Sequence, residues 1–250
     1  MWDRPEILNP AASALLAVAL LLAGYAAVIF VARQPMFALH TVRIGNELAH
    51  VTREQIESVV RRELHGNFFT VDLEQARIVF EKLPWVRNAS VRRQWPDRLD
   101  VALEEHVPLA RWGSEALVNS HGEVFGAAYD GKLPVFAGPP GSAKEIAIQY
   151  DYFRRSLAVL AQIPVQVQVS ERGAWQVRFA SGTVLELGRD HVEARLERFV
   201  AVYARTVGRL QRRLEYIDLR YGNGFAVRIP ELRGESHDGR RGGRAGAATG

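Results

Sequence analysis

Cysteine is absent from all 250 residues, which excludes disulfides, thiolate catalysis and cysteine-built zinc sites. It fixes no compartment, because many exported domains also do without it. The seven histidines are scattered, and none stands in a His-Glu-x-x-His or His-x-x-x-His spacing, so the local signature of a metal centre is missing. His106, behind Glu104 and Glu105, reads as the solvated end of a strand. No Gly-x-Ser-x-Gly elbow occurs, which leaves a serine hydrolase without local support. Gly138-Pro139-Pro140-Gly141-Ser142-Ala143-Lys144-Glu145 has the outline of a phosphate loop. Ala143, however, stands where the last glycine must let the backbone wrap phosphate. Glu145 stands where a hydroxyl should reach magnesium, and its charge would repel phosphate. The stretch therefore reads as a surface loop. No catalytic, cofactor-binding or metal-binding residue is assigned, and the expectation is a protein that is not an enzyme. Formal net charge is only +4, from 32 basic and 28 acidic side chains. The arginines are dispersed and no aromatic-interleaved basic motif appears, so no nucleic-acid partner is expected. There is no internal repeat.

What is present begins at residue 11. Residues 11–32 read AASALLAVALLLAGYAAVIFVA, without a single charge. At helical rise the run is about 33 Å long, enough to cross a hydrocarbon core of about 30 Å. A cleaved signal peptide has a shorter apolar stretch and small residues at its cleavage site. Here Phe30 falls where a small residue is wanted, so the run reads as an uncleaved anchor. A buried soluble helix would rarely be apolar on every face. Charge does not set the orientation. Arg4 on the short arm is offset by Asp3 and Glu6, the far side carries Arg33, Arg43 and Arg53, and long domains translocate largely regardless of charge.

The remaining residues leave room for one large or two small domains. Phe37–Asn46 reads as a strand. Thr52 and Gln55 form a capping box, with Val51 and Ile56 as a hydrophobic staple. The helix they open carries Ile56, Val59, Val60 and Leu64 on one face and ends by Gly66. Asp72 caps a second helix with Leu73, Ala76, Val79, Phe80 and Leu83 along one side, stopped by Pro84. Two alternating strands follow, Ala89–Trp95 and Leu99–Leu103, joined by a turn at Pro96-Asp97. This β-α-α-β-β order makes a three-stranded sheet under two helices, a two-layer core. Ile56, Val60, Leu73, Phe80, Val91 and Val101 are its expected buried residues.

From Val107 the pattern changes to short strands: Leu109–Trp112, Leu117–Asn119 and Val124–Phe125. A helix near Glu145–Leu160 follows, then strands at Val165–Val169, Trp175–Phe179 and Val184–Leu187. Asp190 is the expected cap of a helix bearing Leu196, Phe199 and Tyr203. Two last strands, Tyr216–Arg220 and Phe225–Ile229, flank the turn signal Gly222-Asn223-Gly224. Ile217, Leu219, Phe225, Val227 and Ile229 fall on odd positions and should face inward, with Arg220 on the other side. The Gly- and Arg-rich tail reads as disordered. Trp85, Trp95, Trp112 and Trp175, in apolar strand contexts, are expected to pack in cores. The fold class is α+β: one transmembrane helix, the β-α-α-β-β unit, then a mixed β domain with helices on a largely antiparallel sheet.

Several segments carry a resemblance. Leu83-Pro84-Trp85-Val86, Val91-Arg92-Arg93-Gln94-Trp95-Pro96 and the run from Leu99 to Trp112 are similar to the POTRA domain and following junction of the FtsQ/DivIB family of bacterial cell-division proteins. The similarity continues through Leu117–Phe125, Leu187-Gly188-Arg189 and Ile217–Val227, and so covers roughly residues 10–230. The Trp-Pro hairpin, the Glu-x-x-Pro-x-Ala-x-Trp junction and the Asp-Leu-Arg-Tyr strand behind one anchor make it specific. The resemblance implies a cytoplasmic arm (1–10), a transmembrane helix (11–32), a linker (33–37), a POTRA domain (38–106), a β domain (107–231) and a disordered tail (232–250). It implies a single-pass inner-membrane protein at the division septum, N-terminus cytoplasmic and C-terminus periplasmic. It further implies a non-catalytic scaffold that links early and late division proteins and binds FtsB and FtsL, with other divisome proteins at the POTRA domain. Strand addition at the C-terminal edge would hold FtsB, and Arg189, Arg220, Tyr221, Asn223, Gly224 and Phe225 would form that site. Two other classes were weighed. A POTRA-bearing outer-membrane transporter needs a long series of barrel strands, for which there is no room. An anchored periplasmic hydrolase needs a nucleophile or metal set, which the local motifs do not supply.

Overall fold

The computed structural model describes residues 5–32, 34, 37–39, 41–209 and 214–230, with side chains from residue 12 onward. The first four residues of the arm, most of the linker and the tail from 232 lie outside the described residues. Helix α1 spans Pro5–Ala32, and Ala12–Ala32 is long and apolar enough to cross a membrane, with none of it buried against the rest of the protein. The chain divides into two compact units, residues 1–106 and 107–250.

In the first unit β1 (Thr41–Ile44) precedes α2 (Arg53–Glu63), α3 (Leu73–Glu81), β2 (Val86–Gln94) and β3 (Arg98–Glu105). The sheet order is β1-β3-β2. Strand β1 runs parallel to β3, with Thr41 level with Arg98, and β2 is antiparallel to β3. Both helix starts follow from their caps. The Gln55 N–H donates to Thr52 Oγ1 while the Thr52 N–H donates to the Gln55 side chain, and Asp72 Oδ1 accepts the N–H groups of Glu74 and Gln75. Val51 and Ile56 are both buried as a staple requires. The connection into α2 is tied to the end of β3, because the Glu105 carboxylate accepts the N–H groups of Ala49, His50 and Val51 at 2.7–2.9 Å.

The core holds Ile56, Phe80, Ala76, Leu99, Val101 and Leu103. Three of the expected core residues are only half-buried: Val60, Leu73 and Val91. Val60 lies in an open groove between α2 and the edge strand β1, lined also by Val42, Leu64 and Leu99, so helical periodicity gave its face but not its depth. Trp95 is a plain correction. It is 79% exposed, because β2 ends at Gln94 and Trp95 sits on the turn into β3. Trp85 and Trp175 are buried as expected, and Trp112 is half-buried. Strand β1 is shorter than the expected Phe37–Asn46.

The second unit contains β4 (Pro108–Trp112), β5 (Ala116–Asn119), β6 (Val124–Phe125), β7 (Val135–Ala137), α4 (Ala143–Ala158), β8 (Pro164–Val169), β9 (Trp175–Phe179), β10 (Val184–Gly188), α5 (Val192–Tyr203), β11 (Tyr216–Asp218) and β12 (Ala226–Arg228). Nine strands form one sheet in the order β12-β11-β10-β9-β8-β7-β4-β5-β6. Most neighbours are antiparallel, but β4–β7, β7–β8 and β10–β11 are parallel. Parallel neighbours need a crossover; α4 supplies it between β7 and β8, and α5 between β10 and β11. Ile146, Phe153 and Leu157 of α4 and Leu196 and Phe199 of α5 pack with Phe136, Val167, Val177, Leu185 and Ile217 of the sheet into one core. Strand β7 was not legible in the sequence, since three residues are too few to show alternation. Asp190 does not cap α5. The cap position is His191, in a left-handed conformation without a side-chain cap bond. The phosphate-loop look-alike is the turn into α4, where the Ser142 hydroxyl donates to the Pro139 carbonyl.

Candidate partner-binding edge

Among the described residues the last two strands form one end of the second sheet. Strand β11 lies parallel to β10, with Ile217 level with Leu185. It is held at both ends by backbone bonds: Val184 N–H to Glu215 O (3.0 Å) and Leu219 N–H to Glu186 O (2.9 Å). Strand β12 folds back antiparallel on β11, pairing Tyr216 with Arg228 and Asp218 with Ala226, and no further strand follows it in the sheet order among the described residues. A strand in that position keeps one row of N–H and C=O groups unpaired. Alternation sets the two faces. Ile217 and Leu219 are buried, and Phe225, Val227 and Ile229 pack partly against the same core. The inward set is the odd-numbered one, as expected. The connection is longer than a two-residue hairpin, because β11 stops at Asp218 and β12 starts at Ala226.

The connecting loop closes over α5. The Phe225 ring meets Phe199 edge-on at 5.5 Å, and Arg198 Nη1 donates to the Gly222 carbonyl. Between the loop and α5 lies a cleft of about 230 Å³, lined by Phe199, Val202, Leu219, Asn223, Gly224 and Phe225 and flanked by Arg195 and Arg198. Tyr221 is 58% exposed beside it in the chain.

Arg220 has an intramolecular partner. Asp218 is 5% exposed, and its carboxylate takes a fork from Arg220: Nε to Oδ1 at 2.9 Å and Nη2 to Oδ2 at 2.7 Å. Nε also reaches Oδ2 at 3.1 Å, and the Arg220 backbone N–H adds a bond to Oδ1 at 3.0 Å. These guanidinium bonds hold the Asp218 carboxyl below the ordinary carboxylate range against the opposing effect of burial, with Arg195 assisting. The same contact raises the guanidinium further above its ordinary value. Gly188 fits against this pair. Its φ is +73°, and an added Cβ would come 2.7 Å from Arg195 Nη1 and 3.1 Å from Arg220 Cγ. Arg195 Nη1 in turn donates a hydrogen bond to the Leu187 carbonyl at 2.7 Å. Arg189 lies one residue past Gly188, exposed, and pairs with Asp190 at 3.2 Å.

The structure thus brings Asn223, Gly224 and Phe225 to one cleft, with Arg220 and Tyr221 on the loop that leads to it. Arg189 follows the glycine that touches Arg220. Sequence reading missed Asp218, Arg195, Arg198 and Phe199 as members of this corner. The helical spacing of Arg195, Arg198, Phe199 and Val202 was a usable signal. Asp218 and Arg220, at i and i+2, share one face by strand alternation, but alternation gave no sign that Asp218 is buried.

These features define a class: a membrane-length helix, a β-α-α-β-β unit and a wide mixed sheet with an open terminal edge. Among the described residues no cluster of three or more His, Asp or Glu side chains could hold a metal ion. The family pattern described as "POTRA domain, FtsQ-type" matches residues 37–106, and that described as "Cell division protein FtsQ/DivIB, C-terminal" matches residues 110–220. The chain is 51% identical over 233 residues to the cell division protein FtsQ of Nitrosospira multiformis, spanning 91% of this chain and 99% of that one. It is 43% identical over 240 residues to the FtsQ of Burkholderia pseudomallei, spanning 93% and 96%. The FtsQ of Neisseria gonorrhoeae is 30% identical over 241 residues, spanning 94% and 100%. The chain belongs to the FtsQ/DivIB family of cell-division proteins.

Proposed function

We propose that this cell-division protein is a non-catalytic scaffold that links early and late components of the septal machinery. Helix α1 anchors it in the inner membrane, with the N-terminus cytoplasmic and both folded units periplasmic. A strand of FtsB, carried with FtsL, adds to the free side of β12. The observation that carries this reading is the open β12 edge beside an apolar cleft, since backbone groups supply affinity in strand addition and adjacent pockets supply specificity. Tyr221 packs on the partner's apolar residues, Phe225 and the cleft receive one of them, and Arg189 and Arg220 meet its carboxylates. Other division proteins dock on the POTRA-type unit. Arg220 meets those carboxylates while holding Asp218, so it offers the partner a guanidinium that is already oriented.

The test is capture of detergent-solubilised FtsB–FtsL by the full chain. A Tyr221→Ala variant should lose about 1–2 kcal/mol of affinity, the usual cost of an aromatic anchor, with its circular dichroism unchanged. Equal affinity for wild type and variant would remove Tyr221 from the site, and no capture by wild type would remove the edge.

A further inference from the structure

The first unit carries an exposed aromatic pair at one end of its sheet that neither the core nor the partner edge uses. Trp95 is 79% exposed and Phe69 is 49% exposed, although Trp85 and Phe68 in the same unit are buried. Their position is set by register. The parallel pairing of Thr41 with Arg98 puts the β2–β3 turn, and with it Trp95, at the end of the sheet where the chain arrives from α1. The loop bearing Phe69 is fastened to that same end. Asn67 Nδ2 donates to the carbonyl of Ala32, the last residue of α1, at 2.6 Å. Ala38 and Asn67 form an antiparallel bridge, and the Phe68 N–H donates to Phe37 O at 2.9 Å. Phe69 stands edge-on to Phe37 at 4.9 Å. Arg93 locks the loop to β2 by donating to the Phe68 and Val71 carbonyls. Two large aromatics are therefore exposed at the end of the sheet where the apolar helix ends.

We propose that this end of the first unit rests on the lipid bilayer, with Phe69 and Trp95 seated in the interfacial layer around the exit of α1. The occupant follows from continuity: the Asn67 bond ties the loop to the last turn of a helix of membrane length, so headgroups are the nearest surroundings. The chemistry fits as well. Tryptophan and other aromatic rings favour the membrane–water boundary, and the indole pairs an apolar body with an N–H that can reach a headgroup oxygen. Exposed Arg92 and Arg98 flank Trp95, and arginine stems extend into this layer while the guanidinium stays with phosphates. Seated this way, the first unit is fixed to the bilayer at three points instead of swinging from a single linker.

The inference rests on α1 as a membrane span, and the experiment separates the two. The absence of cysteine lets single cysteines be introduced without background. Phe69→Cys, Trp95→Cys, Gly24→Cys and Ser90→Cys are made in the full chain, labelled with a nitroxide and reconstituted in phosphatidylethanolamine/phosphatidylglycerol vesicles. Each label's collision with oxygen is compared with its collision with a water-soluble nickel chelate. Gly24 has open space around its Cβ position and reports the bilayer interior, whereas exposed Ser90 reports water. The ratio at positions 69 and 95 should exceed that at 90 severalfold and fall below that at 24. Values equal to that at 90, with 24 in lipid, would overturn the proposal and leave the anchor standing. A label at 24 in water would overturn both. Labels at 69 and 95 shielded from both reagents would mean that a second protein copy covers this end, which also overturns it. Circular dichroism of each variant confirms that the fold is unchanged.

Discussion

Replacing Arg220 by alanine should loosen the terminal hairpin measurably at neutral pH and hardly at all in acid. The substitution removes three charge-assisted bonds to Asp218, which is 5% exposed. The backbone bond to Asp218 Oδ1 remains. A hydrogen bond to a charged group is worth about 1.5–3 kcal/mol. The Arg220 side chain is 56% exposed, so water screens the interaction and can replace part of it, and about 1–2 kcal/mol is the reasonable expectation. The sign of the pH effect follows from Asp218. Its carboxyl lies below the ordinary value in the folded state, so the pair stabilises fully above the unfolded value of about 3.9 and loses its contribution as pH falls through the lower, folded value. Hydrogen exchange of peptides covering 214–229 reads this local opening directly. Exchange in Arg220→Ala should be faster by roughly 5- to 30-fold at pH 7, and the gap should begin to narrow below about pH 4 and close as pH falls through the lowered Asp218 value. Arg220→Lys should recover only part of the protection, because an ammonium cannot reproduce the fork. Equal protection at pH 7, or a gap that persists unchanged in acid, would refute the reasoning.

Three predictions concern the first unit. Phe80→Ala, in the core of that unit, should cost about 3–5 kcal/mol in urea unfolding. Ile56→Asp should cost distinctly more than Val60→Asp, since Ile56 is buried and Val60 faces an open groove, and equal losses would show that groove to be closed. Burial raises the Glu105 carboxyl, but the N–H bonds from Ala49, His50 and Val51 together outweigh it and leave it below the ordinary value. The stability of this unit should therefore decline as pH falls through that lowered value, and Glu105→Gln should flatten the decline in an acid titration followed by circular dichroism.

How far the fold could be read depends on how local each signal was. The capping box at Thr52, the Asp72 cap and the Trp175–Phe179 strand were legible because their causes lie within a few residues. Trp95 was misjudged because alternation continues past the residue where β2 stops, and only the register with β3 reveals the turn. Strand β7 was invisible because it is justified by two parallel neighbours far away in sequence. Asp190 has the chemistry of a cap, yet the chain enters α5 through a left-handed His191. At the candidate site the odd-numbered inward face of 217–229 was plain from pattern alone. The burial of Asp218 under Arg220 was not, because the alternation puts both even-numbered residues on the outward face.

The parallel junction between β10 and β11 has a kinetic consequence. Strand β11 has no place to settle until β10 is paired and α5 has crossed over the core, and β12 in turn needs β11. The edge proposed for a partner is thus among the last pieces of the sheet to assemble. Because long-range pairing follows the closure of the loop that permits it, an incomplete or misfolded second unit presents no β12 at all. On the proposed reading, competence to bind would report that the whole unit has folded, and a defect introduced far away, under α4 for instance, should silence the edge without touching any residue on it.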